Sequence, residues 1–132
     1  MRTLLVTMKE GSAVPARSRQ ELTDLLASAS RLAQDAGMLA IVTLESEFGA
    51  TLSIVVGGEE TVLGFDASLD PPYFVSKGAS NDEQPVLECY LHFEHHTEFL
   101  RNEVIPFNLG EQAAHEFLET GVRPECVQWE EV

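Results

Sequence analysis

The sequence predicts an α+β fold with a mainly antiparallel sheet and two helices packed on one of its faces. Two segments, 18–37 and 108–121, place apolar residues at helical spacing and carry capping signals at their ends. Between them lie short β-rich segments joined by brief turns, which is typical of antiparallel strands. The predicted order is β-α-β-β-β-β-β-β-α-β, in a single domain spanning residues 1–132.

The first helix follows a predicted strand at Thr3–Met8. Its start is a capping box, in which the Ser18 hydroxyl accepts a hydrogen bond from the Glu21 N–H while the Glu21 carboxylate reaches back. Leucine and alanine then recur every three or four residues over Leu22–Ala36. Gly37 is expected to end the helix, because glycine tolerates the left-handed backbone that closes it.

The middle of the chain predicts six strands. Gly57-Gly58-Glu59-Glu60 supplies a hairpin turn, whereas residues 66–72 and 79–86 are polar loops. The predicted strands are the apolar and β-branched runs at 39–44, 51–56, 61–65, 73–75, 87–93 and 97–100.

The second helix is predicted over Leu109–Thr120, with Asn108 as its N-cap and Glu111 completing the capping signature. Gly121 should end it, and a short strand should follow. Trp129 alternates with the apolar Val127 in that strand, which favours a buried core position over an exposed interface position.

Charge divides the chain unevenly. The protein has 22 acidic and 8 basic side chains, a net charge of −14. Residues 1–40 carry five bases and four acids, and residues 41–132 carry three bases and eighteen acids, so the nets are +1 and −15. Such a body repels nucleic acid and anionic membranes and attracts basic protein surfaces. Solubility alone is the other interpretation of the acidity.

Composition and the start of the chain exclude other classes. A 44% hydrophobic content excludes a disordered polyelectrolyte. No apolar run approaches the ~18 residues that span a bilayer. Residues 1–8 lack the h-region and cleavage site of a signal peptide, so we expect a cytoplasmic protein.

No pattern of catalytic or metal-binding residues is convincing. Cys89, His92 and His95 have a spacing that superficially resembles zinc ligands, but a strand would point Cys89 and His92 to opposite faces. We therefore predict no metal and no cofactor, and we expect Cys89 and Cys126 to be reduced thiols. The sequence has no Gly-x-Ser-x-Gly elbow and no phosphate-binding glycine loop. It therefore predicts a protein that is not an enzyme.

The last quarter of the chain resembles a known family. Val104-Ile105-Pro106 precedes a helix that ends in Phe-Leu-Glu-Thr-Gly at 117–121, and Arg123-Pro124, Val127 and Trp129 follow. Residues 73–78, Tyr-Phe-Val-Ser-Lys-Gly, are similar to the family's middle strand. The resemblance is to immunity protein family 1 of bacterial polymorphic toxin systems.

The resemblance implies an α+β fold and a non-enzymatic protein that binds and silences a cognate toxin domain. Toxins paired with this family often include nucleic-acid deaminases and also nucleases. The familiar residues are mostly structural, with Gly121 closing the helix, Pro124 preventing its resumption and Trp129 in the core. The toxin-binding residues should therefore lie on variable loops.

Two polar loops next to aromatic residues are the candidate toxin-binding surface. Acidic loops can steer a basic partner, while apolar anchors slow dissociation. The alternative is that both loops are plain solvated turns. The candidate residues are Asp66, Asp70, Tyr73, Phe74, Lys77, Asn81, Asp82 and Glu83.

The predicted partner is a cognate toxin domain with a basic surface, with no direct contact to nucleic acid or membrane. The chemistry of the toxin stays open, as does the choice between plugging its active site and occluding its substrate channel. Two other functions are compatible with the sequence: an acidic regulatory or chaperone-like module for another basic protein, and a small enzyme.

Overall fold

A computed structural model of the chain describes residues 2–9, 11–68, 70–91 and 95–132, with His95 described by its backbone alone. It confirms the predicted α+β class and element order. The described elements are β1 (Leu4–Thr7), β2 (Val14–Ala16), α1 (Arg19–Asp35), β3 (Leu39–Ser46), β4 (Thr51–Val56), β5 (Glu60–Thr61), β6 (Leu63–Asp66), β7 (Tyr73–Ser76), β8 (Pro85–Leu91), β9 (His95–Leu100), a 3-10 turn (Arg101–Glu103), β10 (Ile105–Pro106), α2 (Phe107–Thr120) and β11 (Trp129–Glu131).

The main sheet is built almost entirely from antiparallel pairs. Its strand order is β11-β7-β6-β4-β3-β1-β2. The exception is β8, which runs parallel to β3 with Leu39 opposite Cys89, and which pairs with β9 on its other side. Strands β5 and β10 form a separate two-stranded sheet. Both β2 and the parallel pairing are additions to the predicted arrangement.

Both helices cover the same face of the sheet, as predicted. The core between them contains the apolar sides of α1 and α2 and alternate residues of the central strands. The largest side chain fully buried there is Phe117, whose ring meets that of Phe65 edge to face, with centroids 5.9 Å apart.

The first helix begins as its sequence indicates. Ser18 is the N-cap, and its hydroxyl accepts from the Glu21 N–H at 3.1 Å. The Glu21 carboxylate reaches one residue further back than a capping box requires, and accepts from the Arg17 N–H at 2.9 Å. Gly37 has φ of +69° and follows the C-cap residue Ala36, a conformation that glycine adopts without strain.

The predicted cap of the second helix is wrong. Helix α2 starts at Phe107, and Pro106 rather than Asn108 occupies the N-cap position. The start is fixed from outside the helix, since the Phe107 N–H donates to the Glu59 carbonyl and β10 pairs with β5. The C-terminus agrees with the prediction, with Gly121 in the left-handed region at φ of +72°.

The predicted strand 61–65 is divided into β5 and β6. The Thr61 hydroxyl donates to the Val55 carbonyl at 2.8 Å and accepts from the Val55 N–H at 3.0 Å. The Thr61 side chain thus makes the hydrogen bonds to β4 that a backbone partner would otherwise make at this position. That frees the backbone of Thr61 to pair with Ile105 of β10.

The other face of the sheet is covered over only part of its area. Val104 and residues of β8 and β9 pack there against a second, smaller apolar cluster that includes Ile41, Val55 and Val75. The Ser76 hydroxyl holds the covering segment by donating to the Glu103 carbonyl at 2.7 Å. No apolar cluster of the described residues covers the rest of this face. That uncovered area is the candidate site.

Candidate functional site

One area of the sheet, opposite the helices, presents mainly small polar side chains. Cross-strand pairing runs from β1 to β7 in two rows, and neighbouring strands are ~4.8 Å apart, so each row extends roughly 19 Å. We call this area the open face. Its positions, half-buried or exposed, are Leu5, Thr7, Thr43, Glu45, Thr51, Ser53, Gly64, Asp66, Tyr73 and, on β11, Glu130.

The charge of the open face is entirely negative. Glu45, Asp66 and Glu130 lie on it, and its ten described positions include no lysine or arginine. Asp66 is half-buried between Thr51 and Tyr73 in the row, and this burial raises the pKa of its carboxyl. Perturbed pKa values of this kind are common at functional sites.

The structure brings together three of the predicted site residues. Asp66 and Tyr73 are direct cross-strand partners, and Asp70 lies exposed in the loop that joins their strands. Tyr73 is 40% exposed. The Ser68 hydroxyl accepts from the Asp70 N–H at 3.3 Å and shapes this loop. A carboxylate and an aromatic ring thus lie side by side at one end of the sheet.

Phe74 lies on the opposite side of β7. It is half-buried against the helix-side core, and the guanidinium of Arg123 is 4.3 Å from the centre of its ring. Phe74 is therefore part of the scaffold face, and Tyr73 is the aromatic residue that its strand presents on the open face.

The remaining predicted residues lie at the other end of β7. Lys77 is four residues beyond Tyr73, roughly 13 Å along an extended strand. Asn81, Asp82 and Glu83 are exposed in a loop tied to the 3-10 turn, where the Asn102 N–H donates to the Asp82 carbonyl at 2.8 Å. The acidic candidate residues thus lie in two separate loops, the first acidic loop at 66–72 and the second acidic loop at 79–84.

This second loop is fixed by a close contact. The Gly78 N–H donates to the Asn102 carbonyl at 2.7 Å. A Cβ at Gly78 would come within 2.2 Å of the Val104 carbonyl oxygen. Only glycine permits this approach, so the loop has a structural purpose that sequence reasoning did not find.

Sequence reasoning also missed two residues near the first loop. Glu45 lies on the open face, and Phe48 is 81% exposed in the β3–β4 turn. A signal for Phe48 was present, because an aromatic residue next to a turn glycine has no strand neighbour to bury it. The backbone alternation that puts Glu45 beside Thr51 depends on the β3–β4 register, which the sequence alone did not specify.

Of the three residues considered as metal ligands, Cys89 alone has a described side chain, since His95 is described by its backbone. Cys89 points into the second apolar cluster, and His92 lies outside the described residues. On the other face of the β8–β9 hairpin, an exposed group of Glu88, His96 and Glu98 brings ligand atoms within 4.8 Å of one another. The His96 Nε2 lies 3.5 Å from a Glu88 oxygen, which is an ion pair when the imidazole is protonated.

Both cysteines are free thiols. Burial raises the pKa of the Cys89 thiol to about 11. The pKa of Cys126 is also raised to about 11, first by burial and then by a hydrogen bond to Glu116. Neither environment favours the thiolate that nucleophilic catalysis requires.

Residues 121–129 are held close to the end of α2 by hydrogen bonds. Gly121 closes α2, and the Trp129 indole N–H donates to the Pro124 carbonyl at 2.7 Å. The Glu116 carboxylate accepts from the Glu125 N–H and so ties the motif back to the helix. Trp129 is half-buried, less than the sequence predicts, because β11 is an edge strand.

Comparison with protein families identifies a relationship over nearly the whole chain. A family model described as Immunity protein Imm1 matches residues 10–131, nearly the whole chain. No curated protein matches the sequence. Among the described residues, no helix is long and apolar enough to cross a membrane.

Proposed function

The chain belongs to the Imm1 family of immunity proteins, and from this premise we propose that it binds a cognate bacterial toxin domain and covers a basic substrate groove. A toxin that deaminates or cleaves nucleic acid fits this surface best, because such a toxin holds a polyanion among lysines and arginines. The immunity protein acts by occupying that groove, without chemistry of its own. Its place of action would be the cytoplasm, where the toxin meets nucleic acid.

The open face is the observation that carries this proposal. Three carboxylates and no cation lie on its ten described positions, in a molecule of net charge −14. Like-charge repulsion disfavours nucleic acid on such a surface, whereas a basic groove is attracted from a distance. Steering of this kind raises association rates by roughly 10- to 1000-fold at low salt.

The pair of Asp66 and Tyr73 supports a role in contact as well as in steering. A half-buried carboxylate beside an exposed tyrosine ring offers both a charge and an amphipathic contact surface. Asp70 extends the same charge onto the adjoining loop. We therefore assign the first acidic loop and the open face to the toxin-facing surface, with the second acidic loop contributing steering alone.

Three double variants with the same net charge test this assignment. D66N/D70N removes two charges from the first loop, and D82N/E83Q removes two from the second. D24N/D35N removes two from the exposed side of α1 and is the matched control. We expect D66N/D70N to slow association with the toxin domain the most, by roughly tenfold at low salt.

Association kinetics should be measured from low salt to above 0.15 M, where the Debye length is about 8 Å. Equal slowing by all three variants would show that only net charge matters. A salt-insensitive rate that none of them changes would show that the acidity serves solubility alone. Co-expression with the toxin domain, scored for rescue of growth, tests neutralisation independently of this surface.

A further inference from the structure

Two carboxylates lie directly opposite each other on the β8–β9 hairpin. Glu88 and Glu98 are cross-strand partners, and Tyr90 and His96 form the neighbouring pair on the same face of the hairpin. Like charges in directly opposite positions destabilise a pair of strands. In the described part of the chain, the only ion-pair partner of either carboxylate is His96. Pairing with lysine or arginine therefore does not account for the position of these two acids.

The side chains of Glu88, His96 and Glu98 have the spacing of metal ligands. The His96 Nε2 lies 3.5 Å from a Glu88 carboxylate oxygen and 4.0 Å from a Glu98 carboxylate oxygen. The ligand atoms of a tetrahedral zinc ion, each about 2.1 Å from the metal, are roughly 3.4 Å apart. All three ligand atoms lie within 4.8 Å of one another on exposed side chains, so small rotations close the set around one ion. The sequence did not indicate this group, because only the β8–β9 register brings its members together.

The surroundings of this group orient its imidazole and add negative charge. The rings of Tyr90 and His96 are in contact, with centroids 5.5 Å apart, which limits the orientations of the imidazole. Glu88 also lines a cleft of about 490 Å³ together with Gln34 and Gly37 near the end of α1. The C-terminus of a helix carries a partial negative charge, and α1 has no basic residue in its last turn. The helix end and the two carboxylates thus favour a cation at the same place.

We propose that Glu88, His96 and Glu98 bind a divalent transition-metal ion of the zinc class on the exposed face of the β8–β9 hairpin. The imidazole nitrogen favours zinc over magnesium and calcium, which prefer oxygen ligands. The two carboxylates neutralise the charge of the ion, and water completes its coordination. The metal joins β8 to β9 and so offsets the repulsion between the opposed acids. The site is on the helix side of the sheet, since Tyr90 lies opposite Ala40 of the helix-side core, and it is therefore separate from the open face.

Titration of the full chain with zinc tests the proposal. After metal is removed with EDTA, isothermal titration calorimetry with zinc chloride at pH 7.5 should show one ion bound per chain, and magnesium chloride should not compete. H96Q and E98Q should each weaken zinc binding by more than about tenfold, because even the loss of an outer-shell partner costs roughly 10- to 100-fold. Two control variants should bind zinc as the wild type does. D24N removes an exposed carboxylate from the first half of α1, and C126A removes a half-buried thiol.

Thermal unfolding separates a metal site from a simple ion pair. Metal-free E98Q should have a higher Tm than the metal-free wild type, because the like-charge pair is relieved. Zinc should raise the Tm of the wild type and leave that of E98Q unchanged.

Four results would overturn the inference. The first is a wild type that does not bind zinc, and the second is undiminished binding by H96Q. Equal weakening in D24N and E98Q would show that only net charge attracts the ion. A metal-free E98Q less stable than the wild type would show that the carboxylate is already satisfied by His96. No toxin is present in these experiments, so their outcome is independent of the proposed function.

Discussion

Trp129 should stabilise the protein through both its ring and its indole N–H. A fully buried tryptophan replaced by alanine costs about 3–5 kcal/mol. Trp129 is half-buried beside Phe65, with ring centroids 6.2 Å apart, so its packing should contribute about half as much, roughly 2 kcal/mol. Loss of the indole donor leaves the carbonyl of the buried Pro124 without this partner, at about 1–2 kcal/mol. W129A should therefore lower the free energy of unfolding by about 3–4 kcal/mol.

The companion variant W129F separates the two contributions. It keeps a smaller aromatic ring in place and removes the indole N–H, so we expect a loss of about 1–2 kcal/mol, less than that of W129A. With an unfolding entropy of about 2.1 cal/mol/K per residue over 132 residues, each kcal/mol lowers Tm by roughly 3.6 °C. W129A should then unfold roughly 11–14 °C below the wild type, and W129F roughly 4–7 °C below it.

Thermal unfolding followed by circular dichroism measures both values without relying on tryptophan fluorescence. E130Q is the control, because Glu130 lies on the same strand but on the open face. A Tm for W129F within 1 °C of the wild type would refute the contribution assigned to the hydrogen bond. If W129A kept its stability and lost only toxin binding, Trp129 would be an interface anchor.

Three further outcomes follow from the titratable groups. Because the pKa of both thiols is raised to about 11, Cys89 and Cys126 should react slowly with a thiol reagent at pH 8 in the folded protein and rapidly in urea; fast labelling of the native state would contradict their assignment as inert. Burial, aided by Arg19, lowers the pKa of His115, so the unfolded chain binds the proton more readily. The contribution of neutral His115 to the free energy of unfolding should be complete above about pH 6.5 and should decrease as the pH falls below that value. Denaturation at pH 7 and at pH 5 should therefore show a smaller drop in stability for H115Q than for the wild type. Burial raises the pKa of Asp66, so the destabilisation caused by its charge grows as the pH rises above about 4 and is complete above the folded-state pKa. D66N should therefore be more stable than the wild type at pH 7 and equal to it below about pH 4, and a D66N variant less stable at pH 7 would show that the carboxylate has a favourable partner.

The helices and the fold class could be predicted because their signals are local. Ser18, Gly37 and Gly121 act within one turn of the helix they limit, and each is where the sequence indicates. The start of α2 is a different case. Its position depends on Glu59, nearly fifty residues earlier in the chain, so a local reading of Asn108 could not find it.

The candidate site was only partly predictable for the same reason. Asp66, Asp70 and Tyr73 are near one another in sequence, and the β6–β7 turn brings them together. Glu45 joins them only through the β3–β4 and β4–β6 registers. The facing directions of Tyr73 and Phe74 follow from strand alternation, but which of them faces the core depends on the packing of α2 and residues 121–128.

Strand alternation on the open face also bears on how this protein can diversify. Residues that build the core and residues free to meet a partner lie one position apart on the same strand, as with Leu52 in the core and Ser53 on the open face. On the proposed toxin-facing surface, point substitutions at the open positions would alter recognition while the core stays intact. A single insertion or deletion within a strand would exchange the two sets and destroy both. We therefore expect new partner specificity to arise through substitutions on the strands. Insertions and deletions should be tolerated only in loops such as 67–72.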